Sequence, residues 1–264
     1  MEFISAKEND LSKKYLEFGH VIQPVENIDN LNHIRSMFSN WSKDYLQVKE
    51  NLDESEMLNS IHSRIDASRL NDFRLNLIGR MNESPAFRQI LFSLAKDTIE
   101  AIVGNELVMQ ARVNLSIQLP NDDSSLLHTH ADTWSGDSPF EAVLWLPLVD
   151  VYQTKSMFLL PPLASKKLND DFKNLAGVSS ESLFENIRKE VEWMKVNYGN
   201  FLLFNQTLPH GNRVNEEPDT RWSLNCRFKS VFSPYGDKKL GEFFQPISLK
   251  AASRVGLGYD FPCT

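Results

Sequence analysis

The apolar positions of this chain change their period once, near residue 106. Up to residue 105 they recur mostly at spacings of three and four; from 107 to 232 they alternate or run together in short blocks. The first spacing places side chains on one face of a helix, the second on one face of a strand. Leu11, Tyr15, Leu16 and Phe18 predict a first helix, followed by a short strand over 20–24. Leu31, Ile34, Phe38 and Trp41 form the stripe of a second helix. Residues 54–82 read as helical with a break near Gly79. The clearest helix is predicted from Ser84, which suits an N-cap, with Pro85 in the first turn and Gly104 as its stop. Its stripe is Phe87, Ile90, Leu91, Leu94, Ile102 and Val103.

In the stretch 112–119, Val113, Leu115, Ile117 and Leu119 share one face; Arg112, Asn114, Ser116 and Gln118 share the other. Such alternation describes a strand with one solvated face, or one whose polar face lines a barrel interior around a ligand. Residues 140–147 form a nearly continuous apolar strand, and 156–160 a short one closed by Pro161 and Pro162. A charged helix is predicted over 183–193 and a buried strand over 201–204. Alternation returns at 221–228, with Trp222, Leu224, Cys226 and Phe228 opposite Arg221, Ser223, Asn225 and Arg227. The tail from Gly236 is mixed, with a helix expected near 240–244. No repeat or linker divides the chain, so one domain over 1–264 is expected. A helical block followed by short strands implies an α+β fold with a mainly β core. Its expected form is a jelly roll, cupin-like, with the N-terminal helices (1–105) packed on one sheet of the 107–232 core and 233–264 as a tail.

With 41% hydrophobic residues in 264, a substantial core is expected. The net charge of −7 argues against nucleic acid or an anionic membrane surface as partner. A small-molecule substrate is expected instead, and the sequence does not fix an oligomeric state. Cys226 and Cys263 are the only cysteines, too few for a disulfide framework. The first residues lack a basic stretch followed by an apolar core, and no apolar run approaches the ~18 residues of a membrane span. A cytoplasmic protein is expected on these grounds.

The chemistry concentrates at residues 127–134. His130 and Asp132, two apart, would project from the same face of a strand and offer one nitrogen and one oxygen ligand. Only one His follows this stretch, His210. Two His and one carboxylate form the facial triad that leaves open positions on Fe(II). A chelating 2-oxo acid and O2 can occupy those positions. If the acid is 2-oxoglutarate, its far carboxylate needs a cation, and the planar fork of Arg binds a carboxylate through two hydrogen bonds. Arg221 follows His210 after a turn, and Ser223 lies on the same face as Arg221.

In order and spacing these residues resemble the phytanoyl-CoA dioxygenase-like family of Fe(II)/2-oxoglutarate-dependent oxygenases. The resemblance runs over about residues 15–232. It passes through Leu16 to Ile22, Gln118, His130-Ala131-Asp132, Trp145 to Asp150, Phe158 to Pro161 and His210-Gly211, and ends at Arg221-Trp222-Ser223. The tail is similar to a subgroup found in bacterial carbohydrate-biosynthesis clusters. The departure is at 154–162, where the family's Gly-rich turn is replaced by Thr154 to Pro162. The resemblance implies a double-stranded β-helix and a dioxygenase that converts 2-oxoglutarate to succinate and CO2 while hydroxylating a small molecule, a sugar-linked metabolite among the classes considered. It assigns His130, Asp132 and His210 to iron. Arg221 and Ser223 would hold the far carboxylate, with Gln118 and Asn114 as further polar contacts to the co-substrate. Related halogenating enzymes replace the triad carboxylate with a small residue; Asp132 therefore favours hydroxylation.

Alternatives stand beside this reading. His128 with His130 forms a two-His pair of the kind found in cupin-like metal sites, though the nearest downstream Glu, Glu141, is distant; a lip or outer hydrogen-bonding role suits His128 better. Arg227 shares the face of Arg221 and is the other candidate clamp, or else an ion-pair partner. Trp134 is a candidate substrate-stacking residue or a rim aromatic. His20, His33 and His62 read as structural or solvated. A cupin-like isomerase or hydrolase would use the same barrel without the Arg clamp, and in a non-catalytic jelly-roll binding module the His and Asp would merely contact ligand.

Overall fold

A computed structural model describes residues 3–175 and 177–262. Helices α1 (Ala6–Phe18), α2 (Ile28–Leu46), α3 (Glu54–Asn59), α4 (Ala67–Glu83), α5 (Phe87–Ser93) and α6 (Lys96–Val103) form the N-terminal block, interrupted by strand β1 (His20–Pro24). Then follow β2 (Leu107–Gln110), β3 (Asn114–Gln118), β4 (Ala142–Pro147), β5 (Phe158–Leu159), α7 (Pro162–Asp170), α8 (Ser180–Ile187) and β6 (Glu192–Trp193). The chain closes with β7 (Asn200–Asn205), β8 (His210–Gly211), β9 (Arg221–Ser230), β10 (Phe244–Ser248) and α9 (Ala251–Leu257).

Among the described residues, one sheet runs β1-β7-β4-β9-β2-β10, with β3 also on β9, and all its pairs are antiparallel. A smaller sheet runs β6-β5-β8. Strand β9 organises the large sheet: its first half pairs β3, its end pairs β2, and β4 lies along its other side. The alternation read at 221–228 is the alternation of this strand. Trp222, Leu224, Cys226 and Phe228 are fully buried on the helix side. Trp222 packs on Phe38 and Phe73 at ring separations of 6.3 and 6.0 Å, and Phe228 on Phe92 at 5.9 Å. Its indole N–H donates to the Leu58 carbonyl at 2.8 Å. The helical block thus covers one face of the large sheet, and the polar face of β9 is left to line an interior. Burial pushes the Cys226 thiol up to about 12, as suits a small core residue; Cys263 lies outside the described residues.

Several boundaries differ from expectation, each for a tertiary reason. The helix predicted from Ser84 is two helices, and Ser84 instead ends α4, its N–H donating to the Met81 carbonyl at 3.3 Å. The break at Leu94 and Ala95 is held by Glu26, whose backbone N–H donates to the Leu94 carbonyl at 3.0 Å while its carboxylate caps the Asp97 N–H at 2.8 Å. That cap comes from the turn between β1 and α2 and has no local signal. Helix α4 runs through Gly79 unbroken, because Leu77 and Met81 on either side are fully buried; the interruption falls earlier, at 60–66. The helix expected over 183–193 stops at Ile187, and Glu192–Trp193 pairs with β5. The helix expected at 240–244 is instead a turn leading into β10, which takes the free edge of β2 and buries Phe244. Among the described residues, no helix is long and apolar enough to cross a membrane.

Candidate metal and carboxylate site

Two backbone arrangements bring the distant histidine to the His-x-Asp stretch. His130 and His210 exchange hydrogen bonds, N–H of His130 to the His210 carbonyl at 3.0 Å and the reverse at 2.7 Å, extending the small sheet past β8. Gly211 lets this happen: a Cβ there would lie 2.6 Å from the Leu127 carbonyl oxygen. Asp132 is not on a strand, contrary to the period-2 expectation. It opens a 3-10 turn, Asp132–Ser135, and its N–H donates to the Gln206 carbonyl at 3.2 Å. The turn still delivers the carboxylate to the imidazoles. Among the described residues, His130, Asp132 and His210 form a cluster whose ligand atoms lie within 4.8 Å of one another.

Hydrogen bonding sets the tautomers. His130 Nδ1 faces the His128 carbonyl at 2.7 Å, and His210 Nδ1 faces the Leu208 carbonyl at 2.8 Å. A carbonyl only accepts, so each Nδ1 carries the proton and each Nε2 keeps its lone pair. His130 Nε2 lies 3.5 Å from Asp132 Oδ1. Two bare imidazole nitrogens and a carboxylate oxygen facing one another are a donor set suited to a first-row metal, with the outer hydrogen bonds such ligands usually have. His128 contributes through its backbone carbonyl; its side chain is exposed at the rim and is not in the cluster.

Burial and charge act in opposite senses here. Burial alone would raise the Asp132 carboxyl, but the neighbouring His130 ring and the charge of Arg227 hold it well below the ordinary carboxylate range. Burial pushes His210 down from 6.5 to about 4, reinforced by His130. The unfolded chain therefore binds a proton on this His at pH values where the folded chain does not. In metal-free protein this part of the stability is present above about 6.5 and lost as pH falls toward about 4, on the order of 3 kcal/mol if the whole shift is realised. Thermal midpoints of chelator-treated protein, read from neutrality down to about pH 4.5, should drop through this window, and His210→Asn should flatten the drop. An unchanged slope in the variant would contradict the assignment.

Beside the cluster is a cavity of about 220 Å³ between the two sheets. Its floor comes from the polar face of β9, Arg221, Ser223, Asn225 and Arg227, with Asn114 and Ser116 from β3. Arg221 is 4% exposed; Nη1 donates to the Ser156 carbonyl at 3.2 Å and Nη2 to Ser116 Oγ at 2.9 Å. Among the described residues its Nε is buried without a partner, as are Ser223 Oγ and Ser156 Oγ. Among the described residues no carboxylate pairs with Arg221, and burial lowers it to about 10. An uncompensated buried cation beside orphaned hydroxyls is costly, and an anionic ligand removes the cost. Arg227 is differently placed: Nη2 donates to Asp132 Oδ2 at 2.8 Å and Nε to Gln206 Oε1 at 3.0 Å, so it is the ion-pair partner of the cluster.

The other candidates divide. Asn114 lines the cavity at its exposed end, its amide bonded to Asn225 Oδ1 at 2.8 Å. Gln118 does not line it: the side chain is fully buried and donates to the Arg213 carbonyl at 2.5 Å, because the strand end tucks under the loop after β8. Trp134 packs on Phe172 at 4.9 Å and does not line the cavity. His62 donates or accepts at Thr220 Oγ1, 3.0 Å away, a structural contact. Sequence reasoning gave no role to Ser116, although it shares the polar face of Asn114 and Gln118 and holds Arg221. Ser156 and Gln206 had no signal at all, since both reach the site through loops.

No family model matches the chain, and no curated protein matches it. Solved structures do. A non-heme monooxygenase, ThoJ, in its nickel complex is 15% identical over 92% of this chain and 86% of its own, with a TM-score of 0.56. EctD from S. alaskensis with 2-oxoglutarate and 5-hydroxyectoine is 17% identical over 88% and 78%, TM-score 0.55. The non-heme α-ketoglutarate-dependent carbocyclase SnoK from nogalamycin biosynthesis is 14% identical over 93% and 97%, TM-score 0.56. At these identities the likeness is one of fold: helices and a mostly antiparallel sheet arranged as in non-heme 2-oxoglutarate enzymes.

Proposed function

We propose that this chain is an Fe(II)- and 2-oxoglutarate-dependent oxygenase that oxidises, by hydroxylation, a C–H bond of a small molecule. The two sheets are read as the faces of a double-stranded β-helix, with the substrate entering at the exposed end of the cavity. The observation that carries the reading is the pairing, in one cavity, of a His-Asp-His cluster with a buried arginine that no carboxylate among the described residues meets. A cluster alone suits any cupin-like metalloenzyme. The arginine adds a demand for a ligand carrying a carboxylate remote from the metal, which 2-oxoglutarate meets.

His130 and His210 would hold iron through Nε2, and Asp132 through an oxygen. When bound, Fe(II) supplies chelation of the 2-oxo acid and activation of O2. The protein's own work is positional. The Nδ1 hydrogen bonds fix both rings before any metal arrives, which avoids reorganisation during the reaction. Arg221 and Ser223 bind the far carboxylate, and the apolar wall of Val143, Trp145, Met157 and Phe204 keeps water from the oxidising centre.

Under anaerobic conditions, Fe(II) with 2-oxoglutarate should give a weak visible charge-transfer band, and aerobic protein should release succinate. A panel of candidate metabolites, nucleotide-linked sugars included, should identify the substrate by increased release. A flat spectrum at saturating ligand with no succinate would sink the proposal.

A further inference from the structure

A carboxylate has two oxygens, and what holds the second decides how the first is offered. Asp132 Oδ2 accepts from Arg227 Nη2 at 2.8 Å, while Oδ1 faces His130 Nε2 at 3.5 Å. Arg227 is itself held. Its Nε donates to Gln206 Oε1 at 3.0 Å, and the Gln206 amide is fixed by donating to the Ser138 carbonyl and to Glu141 Oε2, both at 2.9 Å. The same Nε lies 3.9 Å from Asp137 Oδ2. The Asp137 side chain is 2% exposed, and its charge is met at 2.6 Å by Lys238 Nζ, whose side chain is 29% exposed.

Charges therefore alternate from the surface to the cluster: Lys238, Asp137, Arg227, Asp132. The outer end belongs to the segment after β9, which is fastened to the loop after the Asp132 turn. Asp237 N–H donates to the Gly136 carbonyl at 2.9 Å, and the Ser138 hydroxyl to the Pro234 carbonyl at 2.6 Å. A Cβ on Gly236 would lie 2.2 Å from the Gly136 oxygen, so the two backbones touch. Buried ionic chains are poor sources of stability compared with apolar packing of the same volume. What this one does supply is a fixed orientation for one carboxylate.

We propose that Arg227, backed by Asp137 and Lys238, is a positioning group that presents Asp132 to a metal through one oxygen. The proposal rests on the reading of His130, Asp132 and His210 as metal ligands. Arg227 engages the second oxygen, so the protein donates three atoms and the remaining positions stay open. Without Arg227 the carboxylate rotates freely and has to be ordered when metal binds.

The test is Co(II) titration of the metal-stripped chain, followed by calorimetry and visible absorption, with thermal midpoints measured alongside. Arg227→Gln should bind Co(II) about 10–100-fold more weakly, the usual effect of losing an outer-shell partner, and with an altered absorption spectrum. Arg227→Lys should fall between, since lysine keeps the charge but not the fork. Lys238→Met should lose affinity in the same direction by less. A folded Arg227→Gln with wild-type affinity and spectrum, differing only in thermal midpoint, would mean a merely structural role and overturn the proposal. Should Arg227→Gln fail to fold, wild-type affinity in both Arg227→Lys and Lys238→Met overturns it equally. Wild-type protein that takes up no Co(II) removes the metal centre itself, a failure distinct from the variant results.

Discussion

His210→Ala is expected to reduce metal affinity more than about 100-fold, beyond what loss of an outer-shell partner costs, and to abolish succinate release. The ring would supply the ligand most distant along the chain, and it is 5% exposed, packed at 4.3 Å on His130 and 5.0 Å on Phe204. No nearby residue can replace it: among the described residues the cluster holds only His130 and Asp132 besides. His128→Ala is the control. Its side chain is exposed, and the carbonyl that orients His130 survives the substitution, so affinity should be unchanged. Co(II) or Fe(II) titration with succinate quantification decides the matter. Full succinate production by His210→Ala in the absence of substrate would show the ligand set to be wrong.

Arg221→Ala carries the second large effect, on the co-substrate rather than the metal. Truncating one partner of a buried charge-assisted pair costs about 2–5 kcal/mol, which is roughly 30-fold to several thousand-fold in the 2-oxoglutarate requirement at saturating metal. Ser223→Ala should cost about 1 kcal/mol, the worth of a single hydrogen bond. Arg227→Ala should act mainly on the metal requirement, because its fork is engaged by Asp132 and Gln206. A larger 2-oxoglutarate effect in Arg227→Ala than in Arg221→Ala would move the clamp to Arg227. Stability gives an independent sign. In the ligand-free chain Arg221 is a buried cation with no carboxylate partner among the described residues, so Arg221→Met should not lower the thermal midpoint.

Particular residues show how far local reading reaches. Strand β9 was legible because two faces with different neighbours impose two chemistries at period 2: Trp222 to Phe228 against helices, Arg221 to Arg227 against a cavity. The stripe of α2 was legible for the same reason, with Leu31, Ile34 and Phe38 fully buried. The split of the long helix was not, because its cap is the Glu26 carboxylate in the distant turn between β1 and α2. Gln118 was misplaced for a related reason. It has the right face on β3, but the loop after β8 covers the strand end and takes its amide.

The sequence by itself determined which residues alternate, which side chains are able to ligate a metal, and the order in which they occur, since side-chain chemistry and backbone period are local properties. Only the tertiary structure decided that His210 pairs its backbone with His130, that Asp132 arrives on a turn, and that of two arginines on one face Arg227 meets Asp132 while Arg221 faces the cavity without a carboxylate. Two arginines six residues apart on one strand have the same period and the same chemistry. Arg227 meets Asp132 and Arg221 meets Ser156, both on loops whose positions no local pattern encodes.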